Sequence, residues 1–361
     1  MKIAFIPACL EPGRDGVGDY TTLLAAECRR HGHETRLLSL NDPYVSRPMT
    51  EAGALRLSSR RPWSERIKIA EEFLSAFEPD FVSLQFVSYG MHPRGIDFGM
   101  ARKLEGIVGK RRVHIMFHEL WVGMEKGALL KKRFAGMLQR ACILKVMKAL
   151  NICKVHTSNE AYAESLRIHG INAAVLPLFG SIPVPLQMGV PRPRNGTLAF
   201  ALYGTLHPVW PPEPLFTRLL ATGCKIVIKH IGNIRTGEAL WNKMVRDYDG
   251  VIEFQKIGEQ APERIADFLQ NEIDFGIATT PWALIGKSAT VAAMLEHGLP
   301  VIVNRDDWQT AIAINTGSMS RLLIKMDQDL PQKIFAAQRE VPASRLTGVA
   351  TRFLGDLEAA L

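Results

Sequence analysis

No stretch of this sequence stays apolar for the roughly 18 residues that a membrane-spanning helix needs. Residues 1–8 are too few, and turn polar too soon, for a signal peptide. They read instead as a buried first strand, and a cytoplasmic protein is expected. Cysteine is scarce: Cys9, Cys28, Cys142, Cys153 and Cys224 make an odd count with no CxxC spacing. That argues against a disulfide framework and a structural zinc site, and five reduced, mostly buried thiols are expected. Zinc-finger spacing and the aromatic signature of RNA-binding sheets are also missing. No GxGxxG fingerprint follows the first strand, so a dinucleotide fold of the usual kind is not indicated.

What is present is a 361-residue chain, 47% hydrophobic and 22% charged, with a net charge of +8. The length suits two domains, each with its own core. The basic balance suits anionic partners such as diphosphates or acidic lipid headgroups, and nucleic acid is not expected. Strand-like runs over 2–6, 34–40, 81–86, 112–117, 155–157 and 174–176 alternate with helix-like runs over 19–31, 64–77 and 126–150. A polar stretch, 41–62, reads as a long loop. Pro183, Pro185, Pro191 and Pro193 then interrupt the pattern and mark a linker over 181–196. The alternation resumes with strands over 198–203, 225–230, 250–254, 275–278 and 300–304. Helices fall between them over 214–222, 239–248, 262–270 and 287–297. The expectation is α/β: two Rossmann-like, doubly wound domains, 1–180 and 197–345, facing a cleft. Residues 346–361 form a last helix that returns to the first domain. Ligands in such sheets sit at the carboxyl ends of the strands.

Three such ends carry candidate chemistry. Gly13 to Gly18 follow the first strand, where glycines admit a phosphate or sugar and a helix start offers amides. A tight strand-to-helix turn explains the same residues. His118 and Glu119 end another predicted strand, placed to hold sugar hydroxyls or move a proton. Trp121 nearby can stack on a sugar face or fill the core. Gly286, Lys287 and Ser288 open a predicted helix after a strand, a loop and Thr280. There free amides, a helix dipole, a lysine and a hydroxyl converge on an anion. A Walker A loop would need glycine where Pro281 stands, which speaks against a nucleoside-triphosphatase. Asp247, Tyr248 and Asp249 have the form of a DxD metal motif but fall in a predicted turn. The basic helix over 126–150 carries Lys131, Lys132, Arg133, Arg140, Lys145 and Lys148. It can lie on an anionic membrane surface, or simply bury Leu130, Phe134, Met137, Leu138, Ala141 and Leu144 in the core.

Taken together, Gly16-Val17-Gly18-Asp19-Tyr20, His118 and the segment from Asp274 to Ile302 with its Gly298-Leu299-Pro300-Val301 strand resemble GT-B glycosyltransferases related to family 4. The resemblance spans nearly the whole chain. It implies transfer of a sugar from a nucleoside-diphosphate sugar to a hydroxyl on a glycan, a lipid-linked glycan or a metabolite, without a metal or other cofactor and with retention. It implies that Gly16 and Gly18 face the donor phosphates or the acceptor, and that His118 sits beside the transferred sugar; Glu119 is then its orienter or an alternative base. The amides of Lys287, Ser288 and Ala289, after Gly286, would hold the diphosphate. Gly204, Thr205, His207, His230, Arg235 and Thr280 are further candidates for donor contacts, and an anionic membrane at its inner face is a candidate partner.

The chain also departs from the pattern. Aligning on Pro281, Gly286 and Gly298 puts Ile285 and Ala293 where the family carries two glutamates eight positions apart. Thr205 and the Glu213-Pro214 pair stand near its usual arginine and lysine. A catalytically silent GT-B binding protein is therefore the alternative reading, and a phosphate-binding kinase or nucleotidase a more distant one.

Overall fold

A helix begins three residues earlier than the glycines of the first loop suggest. In the computed structural model, which describes residues 1–185, 196–309 and 320–361, strand β1 (Lys2–Ile6) leads to helix α1 (Gly16–Arg30). Asp15 is its N-cap. The Asp15 carboxylate accepts from the amides of Val17 and Gly18 at 2.8 and 3.0 Å, satisfying two donors that a helix start leaves open. The expected helix over 19–31 is thus corrected: Gly16, Val17 and Gly18 form its first turn.

The chain divides into two units. The first holds residues 1–177 and 346–361, and its sheet has eight strands. After α1 come β2 (Glu34–Asp42), β3 (Met49–Glu51), β4 (Ala54–Ser58), α2 (Trp63–Phe77) and β5 (Phe81–Phe86). Then follow α3 (Ser88–Met91), α4 (Met100–Val108), β6 (Arg112–Phe117), α5 (Leu130–Ala149), β7 (Ile152–Thr157), α6 (Glu160–Arg167) and β8 (Ala174–Val175). The spatial order is β3-β4-β2-β1-β5-β6-β7-β8, parallel except for the β3–β4 pair. β1 and β5 are buried along nearly their whole length, as a parallel sheet covered on both faces requires. The stretch 41–62 is not a loop. Leu55 and Leu57 are buried in β4, which extends the sheet beside β2.

The second unit holds residues 178–309 and 320–345 among those described, and its six-stranded sheet is parallel throughout. Its elements are β9 (Thr197–Tyr203), α7 (Glu213–Leu220), β10 (Lys225–Ile231), α8 (Glu238–Asp247), β11 (Ile252–Gly258), α9 (Pro262–Asn271) and β12 (Phe275–Ala278). They continue with α10 (Ala289–Glu296), β13 (Val301–Val303), β14 (Leu323–Lys325) and α11 (Leu330–Ala336), in the strand order β11-β10-β9-β12-β13-β14. The order of strand addition reverses between β9 and β12, so the loops after these strands open the crevice where ligands bind in doubly wound sheets. Of the expected linker over 181–196, residues 186–195 lie outside the described residues.

The last helix, α12 (Leu346–Glu358), belongs to the first unit and packs along α1. Its Phe353 is fully buried, 5.6 Å from the Phe5 ring and 5.0 Å from the His114 ring between centroids.

The glycines of the first turn of α1 separate cleanly. A Cβ on Gly18 would lie 2.6 Å from the Cys9 carbonyl oxygen, whereas one on Gly16 would meet nothing within 4 Å. Gly18→Ala is expected to lower stability by about 1–3 kcal/mol through this overpacking. Gly16→Ala should be neutral or slightly stabilising, because alanine is the better helix former. Urea unfolding of both variants checks the pair, and equal midpoints would contradict the close approach.

Candidate functional site

Within the first unit, His118 lies just beyond β6, its backbone amide donating to the Phe86 carbonyl at 3.2 Å. The side chain is buried beside Tyr20 of α1, with ring centroids 5.0 Å apart and edge to face. Its Nε2 is 2.9 Å from Gln85 Oε1. Behind it the polar contacts continue. Gln85 Nε2 donates to Ser83 Oγ at 2.8 Å, and Ser83 Oγ lies 2.8 Å from His114 Nδ1. His114 Nε2 is 2.9 Å from His156 Nδ1, and His156 Nε2 is 2.9 Å from Asp356 Oδ2 on α12. Lys154 closes the series on the other oxygen of Asp356 at 2.6 Å.

These positions follow from strand periodicity. Ser83 and Gln85 share one face of β5, and Ser83 is the register partner of His114. Burial alone holds His118 neutral, with its pKa pushed down to about 3. Burial, reinforced by the charges of its neighbours, lowers His114 as well. Burial lowers His156, against the pull of Asp356. Burial opposes ionisation of Asp356, but its hydrogen bonds with Lys154 and His156 outweigh burial and hold the carboxyl below its ordinary range. The sequence flagged His118 alone. Ser83, Gln85, His114, His156 and Asp356 escaped it.

The neighbours of His118 take different roles. Glu119 is half-buried directly after it. Trp121 is buried, 5.5 Å from the His169 ring and 6.0 Å from the Arg140 guanidinium, and helps line a groove of about 740 Å³. Leu130, Phe134, Met137 and Ile168 line the same groove. Here the core reading of the basic helix is corrected. Its buried face is Gly136, Gln139, Cys142, Ile143 and Val146. Leu130 and Phe134 stand 80% and 60% exposed among exposed Lys131, Lys132 and Arg133. Gly16 and Gly18 sit where the Asp15 carboxylate already occupies the Val17 and Gly18 amides, so an anion there would have to displace it.

In the second unit, Trp282–Lys287 forms a short 3₁₀ helix and α10 starts at Ala289. The expected amide trio shifts accordingly. The Ser288 amide donates to the Ile285 carbonyl at 3.1 Å, and the Ser288 hydroxyl caps the helix by accepting from the Val291 amide at 3.3 Å. The amides of Ala289 and Thr290 meet no acceptor among the described residues. Gly204, at the end of β9 with φ +77°, faces this helix start: a Cβ there would lie 2.9 Å from Thr290 Cγ2. Gly204, Lys287, Ser288, Ala289 and Thr290 therefore flank the opening between β9 and β12, with Gly286 and half-buried Thr280 on the loop after β12.

His230 is fully buried against Trp241, and its Nε2–H donates to the Gly204 carbonyl at 2.7 Å, so it shapes the loop. Thr205, His207 and Arg235 are exposed, and the Arg235 amide is held by Asn233 at 3.0 Å. Arg305, unread in the sequence, is buried. It donates to the Thr279 carbonyl at 3.2 Å and pairs with Asp307, tying the loop after β13 to that after β12. Ile285 and Ala293 sit in an apolar cluster. Glu296, one turn beyond Ala293, accepts from the Gly180 and Arg345 amides, both at 2.9 Å. Asp247 is paired with Lys243 at 3.1 Å on the end of α8. Among the described residues, no three His, Cys, Asp or Glu side chains cluster as metal ligands do, and no helix is long and apolar enough to cross a membrane.

No protein-family model matches the chain, and no curated protein matches it by sequence. Solved structures match it over its full length. A lipopolysaccharide outer core galactosyltransferase, WaaB, in its apo form is 15% identical with a TM-score of 0.58, covering 100% of this chain and 99% of that one. The catalytic domain of starch synthase IV from Arabidopsis thaliana, bound to ADP and acarbose, is 11% identical with a TM-score of 0.59, covering 99% of both chains. HepE from Anabaena in complex with UDP-glucose is 13% identical with a TM-score of 0.56, covering 100% and 98%. The fold is GT-B, as the sequence pattern implied.

Neutral His118 makes an acid-sensitive fold. In the unfolded chain its pKa returns to about 6.5, so the unfolded state binds a proton first as pH falls. Its contribution is intact above roughly pH 6.5 and is lost towards pH 3, by about 1.4 kcal/mol per pH unit. Urea unfolding of wild type and His118→Gln between roughly pH 7 and pH 5 should show a shallower pH dependence in the variant. Identical slopes would contradict a buried neutral ring.

Proposed function

We propose that this protein is a glycosyltransferase that moves a sugar from a nucleoside-diphosphate sugar to a hydroxyl acceptor. The observation that carries the reading is the start of α10 at the switch point of a GT-B sheet. There two amides that meet no acceptor among the described residues stand beside Lys287 and the close turn at Gly204. Helix-start amides and a lysine suit a departing diphosphate, since they stabilise its growing charge without a metal. HepE was solved with UDP-glucose, and starch synthase IV with ADP and acarbose, which supports a nucleotide-sugar donor. The quoted motifs support a divergent relative of family 4, and with it retention at the anomeric carbon. In this reading the second unit holds the donor through Lys287, Ala289 and Thr290. The first holds the acceptor, and His118 contacts the transferred sugar beside Glu119.

A panel of nucleoside-diphosphate sugars tested by calorimetry checks the donor site. One or more should bind, and Lys287→Ala should weaken that binding about tenfold, near 1.4 kcal/mol. A panel without any binder, or a variant that binds like wild type, sinks the assignment. The apolar surroundings of Ile285 and Ala293 favour one second reading, a silent GT-B protein that binds a nucleotide or glycan. Binding with no donor hydrolysis and no transfer to acceptor extracts would support it. The kinase or nucleotidase reading loses support, because the Ser288 amide and hydroxyl are committed inside the turn and the cap.

The exposed Leu129, Leu130, Phe134 and Met137, set among Lys131, Lys132 and Arg133, suit an anionic bilayer surface. We place the protein in the cytoplasm, peripheral at the inner face of the membrane, with a lipid-linked glycan as the acceptor class that this surface favours. Sedimentation with anionic vesicles should pull the protein down at low salt and release it at high salt. Leu130→Glu with Phe134→Glu should abolish it, and failure to bind at low salt removes the membrane.

A further inference from the structure

The polar series behind His118 has a direction. Asp356 is held ionised by Lys154, so it only accepts, and His156 must give it the Nε2 proton. His156 Nδ1 is then an acceptor, so His114 donates from Nε2. His114 Nδ1 accepts from the Ser83 hydroxyl, Ser83 Oγ accepts from the Gln85 amide, and Gln85 Oε1 accepts from His118 Nε2–H. Five hydrogen bonds point the same way. The opposite polarity satisfies the same inner heavy atoms if the Gln85 amide turns over, each imidazole carries its proton on Nδ1, and the serine hydroxyl rotates. Only the end of the series breaks the tie, because a carboxylate cannot donate.

We propose that Asp356, on the C-terminal helix, is a positioning residue for His118: through Gln85, Ser83, His114 and His156 it fixes the His118 tautomer with the proton on Nε2 and the lone pair on Nδ1. The series transmits orientation and not protons. Gln85 interrupts it, and an amide passes a proton only through its unfavourable imidic acid form. Asp356 lies 200 residues from His156 in sequence, on a helix that also covers the pair of histidine rings with Phe353. Its consequence for transfer rests on the reading that His118 touches the donor sugar. On that reading, a ring presenting Nδ1 as an acceptor takes a hydrogen bond from a sugar hydroxyl, and the reversed ring offers a second donor to it instead.

The test is long-range proton–nitrogen NMR on the full-length, ¹⁵N-histidine-labelled protein, with the signals assigned by His114→Gln, His118→Gln and His156→Gln. Wild type should show all three rings neutral and protonated on Nε2. Asp356→Leu should lower the Nε2-protonated fraction of His118 to about half or less, since the two polarities become comparable. Ser83→Ala, which cuts the series in the middle, should do the same, and adding Asp356→Leu to it should change His118 no further. Should Asp356→Leu fail to fold, Ser83→Ala asks the question from within the series. A His118 ring protonated on Nδ1 in wild type overturns the proposal, and so does one indifferent to either substitution. With a donor in hand, transfer by Asp356→Leu should fall in the same proportion as the Nε2 tautomer. If His118→Ala transfers like wild type while the tautomer still responds to Asp356, the series stands and the role given to His118 falls.

Discussion

An imidazole shut inside a parallel sheet has two nitrogens out of reach of bulk water, and leaving either without a partner costs free energy. That constraint organises the first unit. His114 is fully buried on β6, between β5 and β7, so its partners must come from adjacent strands. Ser83 serves one side and His156 the other. His156 raises the same demand one strand further on, and no strand answers it. The answer is Asp356, which a helix must bring. A buried network of this kind favours one arrangement only when every member is satisfied, and each ring of this one has a named partner. The packing of α12 against α1 and the seating of Phe353 over the rings are the apolar counterpart of the same requirement.

The second unit meets a different demand with different means. Its crevice is built mostly from backbone: a left-handed glycine at 204, a short 3₁₀ helix over Trp282–Lys287 and a capped helix start. Side chains serve as braces. His230 holds the Gly204 carbonyl, and Arg305 holds the Thr279 carbonyl. Under the proposed donor reading, such a site would fix an anion by geometry and tolerate change in the side chains around it. This agrees with apolar residues at 285 and 293 inside an otherwise ordinary GT-B sheet.

Much of the architecture was legible because parallel strands are apolar on both faces. The runs at Phe81–Phe86, Arg112–Phe117 and Phe275–Ala278 announce themselves. β4 did not, because its arginine and serine broke the run and proline and glycine surround it. Helix α1 was set too late, because glycine in the first turn looks like a loop until the Asp15 cap is seen. The start of α10 was legible to within two residues, Lys287 against Ala289, and the difference came from a 3₁₀ stretch that no spacing reveals. The place of His118 just after a strand was also legible. Its supports were not, since an isolated serine, glutamine or histidine inside a strand carries no local sign of a partner across the sheet, still less on a helix at the far end of the chain.

Helix α12 gives the first unit a particular order of assembly. The second unit lies within it in sequence, so on a ribosome the eight strands and most helices of the first unit are made well before the element that covers Phe5 and His114. Until then the nascent unit carries an open apolar face and a histidine pair with no terminal anion. The described residues of the second unit all precede α12 in sequence, so its core can close before that helix is made. Synthesis therefore finishes the two units in the reverse of the order in which it starts them.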